Sequence, residues 1–285
     1  MSITDEGLRS FTFDPIPFRV TAREAILYGL GLGLGAEPTD ANQLRHVYEE
    51  GLVPYPLMPV VLGSPGMWFG RAGLDARKVL HGAQALKILA PVPLDTALVA
   101  RNVISGLYDR GADKGAVVEV TREIATDAGA PVARVLSTYM CMGDGGFGGS
   151  ASRPAPAPSR PDRSPDATVR IATLSQAALL YRLNGDMNPL HADPAMAAKL
   201  GFDRPILHGL CTLGHALRAV VDNQAGGNAA RLTAVSARMS RPTYPGETLE
   251  VAIWAEAGGL LFEATTVERG VTVLAGGQVG LEGAA

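Results

Sequence analysis

Apolar side chains recur at Leu210, Leu213, Leu217 and Val220, the 3.6-residue period of a helix burying one face over 209–221. A second helical pattern covers 21–30. Alternation at period two predicts strands near 84–90, 95–108, 115–127 and 131–142. It predicts four more near 231–240, 247–256, 260–269 and 271–281, with Gly258-Gly259 turning a hairpin. Between the two sets, residues 150–166 form a Pro-rich, extended linker that separates residues 1–149 from 167–285. The halves resemble each other. Glu24–Leu30 matches Ala177–Leu183 at an offset of 153, and Pro91–Thr96 matches Pro242–Thr248 at 151 or 152. One long helix followed by antiparallel strands, twice, predicts an α+β chain in which each half wraps a sheet round a helix.

Chemistry concentrates in Tyr181–Pro194, where Asp186, Asn188 and His191 fall within six residues. Ser175 is a candidate cap for a helix carrying Ala177, Leu180 and Tyr181 that ends at Asn184-Gly185. Asp193-Pro194 reads as N-cap and first position of a further helix stopping near Gly201. Pro189 keeps the three polar residues out of one regular helix, so a bent loop must aim them. Asp and Asn also cap their own backbone in ordinary turns, so spacing alone leaves a structural role open. The next segment changes the balance. His208-Gly209 opens the apolar helix, and a helix N-terminus offers unpaired N–H groups with a partial positive charge. Gly209 would let a carbonyl approach that end closely. A carboxylate and an imidazole beside an oxyanion donor are the parts needed for chemistry next to a carbonyl. Under the 153 offset, Asp186, Asn188 and His191 fall opposite Gly33, Gly35 and Pro38, so one active site is expected, in the second half.

The run Y-R-L-N-G-D-M-N-P-L-H-A-D-P (181–194) and the H-G-L after it resemble the MaoC-like, R-specific enoyl-CoA hydratases of the two-repeat "hydratase 2" type. Tyr28–Gly35, Leu80-His-Gly-Ala-Gln84, Gly143–Gly149 and Arg241–Gly246 extend the resemblance over nearly the whole chain. Asn184 stands where the family usually has Ser. The resemblance implies a double hotdog whose degenerate N-terminal repeat (1–149) holds the substrate tail and whose C-terminal repeat (167–285) is catalytic. It also implies reversible hydration of a trans-2-enoyl-CoA to an (R)-3-hydroxyacyl-CoA, and a homodimer. Asp186 and His191 would do the acid/base work, Asn188 would orient the water or the carboxylate, and Gly209 would bind the thioester carbonyl. No cofactor is expected, coenzyme A being part of the substrate. The alternatives are a dehydratase for a short, branched or carrier-bound thioester, a thioesterase, and a non-catalytic acyl-CoA-binding subunit.

Composition narrows the classes. With 285 residues, 47% hydrophobic, 19% charged and a net charge of −3, the chain is an ordinary globular protein without a nucleic-acid footprint. No apolar run approaches a bilayer span, so no membrane partner is expected. Two cysteines, Cys141 and Cys211, give no disulfide framework. With Asp5, Glu6 and Arg9 at the start and no peroxisomal tripeptide at the end, a cytoplasmic protein is expected. Gly31–Ala36 fits a dinucleotide fingerprint formally, but it follows a helix and precedes Pro38; close packing against the sheet is the better account. No metal site is expected, since His191, His208 and His215 lack finger or zincin spacing. Arg238 and Arg241, expected on one face of a strand, are candidates to grip coenzyme A phosphates, against an ordinary solvated surface. His208 is a third candidate substrate contact.

Overall fold

Residues 3–148 and 158–283 are described by a computed structural model of the chain; the start of the expected linker, 150–157, lies outside them. The alternating segments pair into one ten-stranded antiparallel sheet. In chain order its strands are β1 (Ile16–Phe18), β2 (Val79–Ile88), β3 (Leu98–Asp109), β4 (Ala116–Thr126) and β5 (Pro131–Cys141) from the first half. The second half supplies β6 (Ala167–Ala172), β7 (Leu232–Met239), β8 (Thr248–Glu256), β9 (Gly259–Thr266) and β10 (Val271–Leu281). Laterally they run β1-β3-β4-β5-β2-β7-β10-β9-β8-β6, so each half repeats the same order about a central β2–β7 pair. There Leu86 lies opposite Val235 and Ala85 opposite Ser236. The eight expected strands are present, and two short edge strands, β1 and β6, join them.

Six helices complete the described fold: α1 (Asp5–Arg9), α2 (Ala22–Gly31), α3 (Ala41–Leu44), α4 (Ala177–Tyr181), α5 (Pro194–Lys199) and α6 (Gly209–Gln224). The repeat is exact in spacing through its middle. α3 and α5 begin 153 residues apart, and so do β2 and β7. α6 corrects one expectation, because it is buried on all sides from Cys211 to Val221 rather than on one face. Leu213, Leu217 and Val220 share a core with Leu249, Val251, Ile253, Phe262 and Leu274 of the surrounding strands.

A second correction concerns the long helix expected in each half. Only the second half has one. At the same offset, α6 corresponds to residues 56–71, where Pro56, Pro59 and Pro65 cannot continue a helix. Two 3-10 turns, Met58–Val60 and Phe69–Ala72, take its place. Leu57, Met58 and Val60 still bury their side chains, but the carbonyls released from helical bonding need other donors. The buried Arg122 of β4 supplies them, donating to Val60 O (2.7 Å) and Pro59 O (3.3 Å), and Asn102 Nδ2 donates to Gly63 O (3.2 Å). Burial lowers the Arg122 guanidinium to about 10. A charge in this position therefore replaces main-chain hydrogen bonding that a helix would have made.

The glycine-rich end of α2 and the turn after it meet loops and helices, not the sheet as expected. A side chain on Gly29 would meet the His46 carbonyl at 2.7 Å, and one on Gly31 would reach Tyr181 of α4 at 3.5 Å. Gly33 has φ +73, and a Cβ there would lie 2.8 Å from Nη1 of Arg218 on α6. That arginine, 6% exposed, donates to Leu32 O (2.5 Å). The position opposite Asp186 is thus closed by a guanidinium from the other repeat. Gly33→Ala should cost about 1–3 kcal/mol, from the left-handed backbone and the displaced Arg218, measured by chemical denaturation. An unchanged midpoint would mean that the guanidinium moves away freely.

Candidate active site

A chain of capped turns builds the polar loop. α4 lacks the expected Ser175 cap; Gln176 occupies the N-cap and makes no side-chain bond there. The helix runs on as a 3-10 turn, Arg182–Asn184, and stops at Gly185 in the left-handed conformation, as its Asn-Gly ending predicts. Asp186 Oδ1 then accepts from Asn188 N (3.2 Å), and Asn188 Oδ1 accepts from Leu190 N (3.0 Å). Asn188 therefore caps the 3-10 turn Pro189–His191, and its bond to the Asp186 carboxylate runs through the main chain, not through its carboxamide. Asp193 caps α5 through Ala195 N (2.8 Å), with Pro194 at the first position and Gly201 beyond the end, as the sequence predicts.

These turns bring His191 under the N-terminus of α6. His191 is buried, and its Nδ1 lies 2.9 Å from Ile206 O. A carbonyl only accepts, so Nδ1 carries the proton and Nε2 keeps its lone pair. The ring stacks on His208, with centroids 3.6 Å apart and planes at 25°. By the same logic His208 Nε2, 3.2 Å from Asp186 O, carries its ring's proton. Its Nδ1 is buried without a partner. Burial lowers the proton affinity of both rings, that of His208 to about 4 with further lowering by His191, so both are neutral at neutral pH. Asp186 stands at the open side, with its side chain 55% exposed and Oδ2 4.0 Å from His208 Nε2.

Gly209 is the first residue of α6, and a Cβ on it would press on Met239 Cγ at 2.9 Å. The last residue of β7 thus closes over the helix end, and glycine is the residue that fits. Arg238 and Arg241 are both exposed, and Arg238, next to Met239 on β7, points to the face opposite this contact. They do not share a strand face: they are three residues apart, and β7 ends at Met239. His215 lies deeper in α6, its Nδ1 3.0 Å from Cys211 O, and takes no part in the cluster.

One ligand atom each from Asp186, His191 and His208 lies within 4.8 Å of the others, a grouping the sequence spacing did not reveal. The protons fixed by hydrogen bonding argue for acid/base chemistry there. His208 turns an N–H, not a lone pair, toward Asp186, which suits a carboxylate neighbour better than a cation.

The first repeat also contributes to this wall. Burial lowers His81 of β2 to about 4 and raises Tyr139 of β5, and the nearby Asp186 charge opposes the first shift and adds to the second. The counterparts of Asp186, Asn188 and His191 in the first half are Gly33, Gly35 and Pro38, so its polar groups near the site come from other positions. His81 arrives by the β2–β7 pairing, and its visible signal was the Leu80–Gln84 segment.

Fold and site together define a class: a two-repeat hotdog enzyme in which one loop, carrying Asp186 and His191, lies beside a single long buried helix. Comparison with known proteins takes the assignment further. The "MaoC like domain" model matches residues 156–276, and the "MFE-2 hydratase 2 N-terminal domain" model matches 18–143. The chain is 37% identical over 270 residues to a Mycobacterium tuberculosis protein named 3-hydroxyacyl-thioester dehydratase Y, covering 92% of this chain and 91% of that one. It is 35% identical to a probable enoyl-CoA hydratase 2 of Dictyostelium discoideum, covering 97% and 96%. A crystal structure of a MaoC-like dehydratase from Phytophthora capsici superposes with a TM-score of 0.86 at 30% identity, over 99% and 100% of the two chains. The chain belongs to the MaoC-like hydratases and dehydratases, in their two-repeat, hydratase 2 form. Its fold is the double hotdog. Among the described residues no helix is long and apolar enough to cross a membrane.

Proposed function

We propose that the protein adds water reversibly to a trans-2-enoyl-CoA to give the (R)-3-hydroxyacyl-CoA. The observation that carries this reading is the meeting of the Asp186 carboxylate, the free Nε2 lone pair of His191 and the N-terminus of α6. Both side chains accept, so one water can donate one proton to each and aim its oxygen lone pair at C3. The thioester carbonyl takes hydrogen bonds from Gly209 N–H and the helix end, drawing electron density out of the conjugated double bond. The new C3–O bond forms as electrons move toward the carbonyl. One of the two acceptors takes the water proton and returns it to C2, so the water is fully accounted for. Dehydration is the same path reversed, including for other acyl thioesters. We assign the acyl tail to the N-terminal repeat, where shorter turns stand in the place of α6, and we expect no cofactor. The exposed arginines Arg238 and Arg241 are our candidates for the coenzyme A phosphates. Two buried free thiols, Cys141 and Cys211, accord with a cytoplasmic enzyme. A homodimer would cover the groove of about 510 Å³ whose lining includes Ala85, Leu136, Ala234 and Leu261.

The test is the ultraviolet absorbance of crotonyl-CoA and longer enoyl-CoAs with purified protein. Loss of the conjugated band without free coenzyme A is the expected outcome; thiol release with the double bond intact would establish a thioesterase. The pH profile gives a second check. His191 must be neutral to accept, and its proton affinity is lowered from 6.5. Activity should therefore persist below pH 6.5 and fall only as the more acidic folded-state value is crossed. An acid limb centred above 6.5 would remove His191 from this role.

A further inference from the structure

We infer that His208 is a positioning residue that ties the acid/base loop to the N-terminus of α6, rather than a contact for the coenzyme A moiety. The inference rests on the hydration reading above. His208 is 2% exposed, so it presents almost no surface to a bound molecule. What it touches is the machinery itself. Its Nε2–H donates to the main-chain carbonyl of Asp186 at 3.2 Å, fixing the residue whose carboxylate faces the water. One face of the ring lies on His191 at 3.6 Å, and Tyr181 stands 5.2 Å away. Its own carbonyl accepts from Thr212 N (3.0 Å) and Thr212 Oγ1 (3.2 Å), so its main chain is locked as the N-cap of α6. One side chain therefore sets the distance between the base and the carbonyl-binding end of the helix. Errors of about 1 Å in such a distance cost roughly 100-fold in rate.

The two contacts make separable contributions. The N–H bond holds the Asp186 loop, while the stack keeps water off one face of His191. The other titratable or charged groups facing this pair are Asp186, Arg182 and Tyr181, with His81 and Tyr139 of the first repeat beyond Asp186. None of them is altered chemically when position 208 alone is changed.

Two substitutions divide the roles. His208→Phe keeps an aromatic ring against His191 but removes the donor; His208→Gln keeps a donor but removes the ring. With Phe, kcat should fall about 10- to 100-fold with KM within a few-fold, and the His191 titration followed by NMR should stay low. With Gln, kcat should fall less, and the His191 titration should move up toward the ordinary histidine value. A raised KM at unchanged kcat in either variant would overturn the inference in favour of a substrate contact. Unchanged kcat and unchanged titration in both would reduce His208 to inert packing. Should Phe fail to fold, judged by the dispersion of its amide spectrum, the Gln variant alone carries the test. The wild-type assay is the control for the reaction itself. If the wild type hydrates no enoyl-CoA, the hydration reading fails. The His191 titration and the hydrogen exchange of the 186–191 amides still report whether His208 holds the loop.

Discussion

Asp186→Ala should lower kcat/KM for enoyl-CoA hydration by at least about 1,000-fold, within the range for losing one general acid/base group that also orients the nucleophile. The carboxylate has two tasks that one substitution would confound. It faces the open side of the site, and its Oδ1 accepts from Asn188 N at 3.2 Å, which shapes the turn carrying His191. Asp186→Asn retains an oxygen for that turn and removes only the charge, so the two variants should lose activity almost equally if charge is what matters. If Asn keeps most of the activity while Ala does not, the residue is a cap and the base lies elsewhere. Residual turnover well above this level in both would require a second site. The counterpart position makes a prediction about that too. Gly33 brings no carboxylate, and Arg218 already occupies the space beside it, so the counterpart position in the first repeat offers neither a base nor room for one.

The strands were readable because most of them have one face on the core and one toward solvent, as β9 does with strict alternation. β1 and β6 escaped notice as edge strands of three and six residues. The start of β2 is masked by Gly82 and by a register shift between His81 and Ala83. The absence of a long helix from the first half is legible in the sequence, since Pro54, Pro56, Pro59 and Pro65 mark residues 36–80 as irregular cover, where α6 has no proline. In the site, Asp186 and His191 are neighbours in sequence, so their meeting needed only a turn. His208 lies 17 residues from His191 and stacks on it only because α5 and the segment after it return the chain, which no local pattern encodes. His81 is more distant still and depends on strand pairing between the two repeats.

The segment that ends in His208-Gly209 is itself held by a clasp, and breaking it should destabilise the whole repeat. Glu247 is 3% exposed, accepts from Tyr244 N (2.8 Å), and pairs with Arg269 through Nε and through Nη2 at 2.8 Å. Arg269 in turn donates to Pro242 O (2.7 Å) and covers the Tyr244 ring at 4.8 Å. The turn 241–246 is thereby fixed from both sides, and Thr243 O accepts Leu207 N at 2.8 Å, one residue before His208. Glu247→Ala leaves a guanidinium short of its partner and a tightened turn without its acceptor. Because Arg269 keeps 31% of its side chain in water, the cost should sit near the low end for a broken buried pair, about 3 kcal/mol. That is a large part of an ordinary folding margin of about 5–15 kcal/mol. Urea denaturation should show the loss as a lower midpoint at unchanged slope. Glu247→Leu combined with Arg269→Leu should recover much of it, since no charge is then stranded. If the single and double variants are equally destabilised, the hydrogen bond to Tyr244 N, and not the charge pair, holds the turn. In the single variant kcat should also fall, because a loosened Leu207 releases the helix end that positions Gly209 and His208. A destabilised variant with full kcat would show that α6 holds its own N-terminus without the clasp.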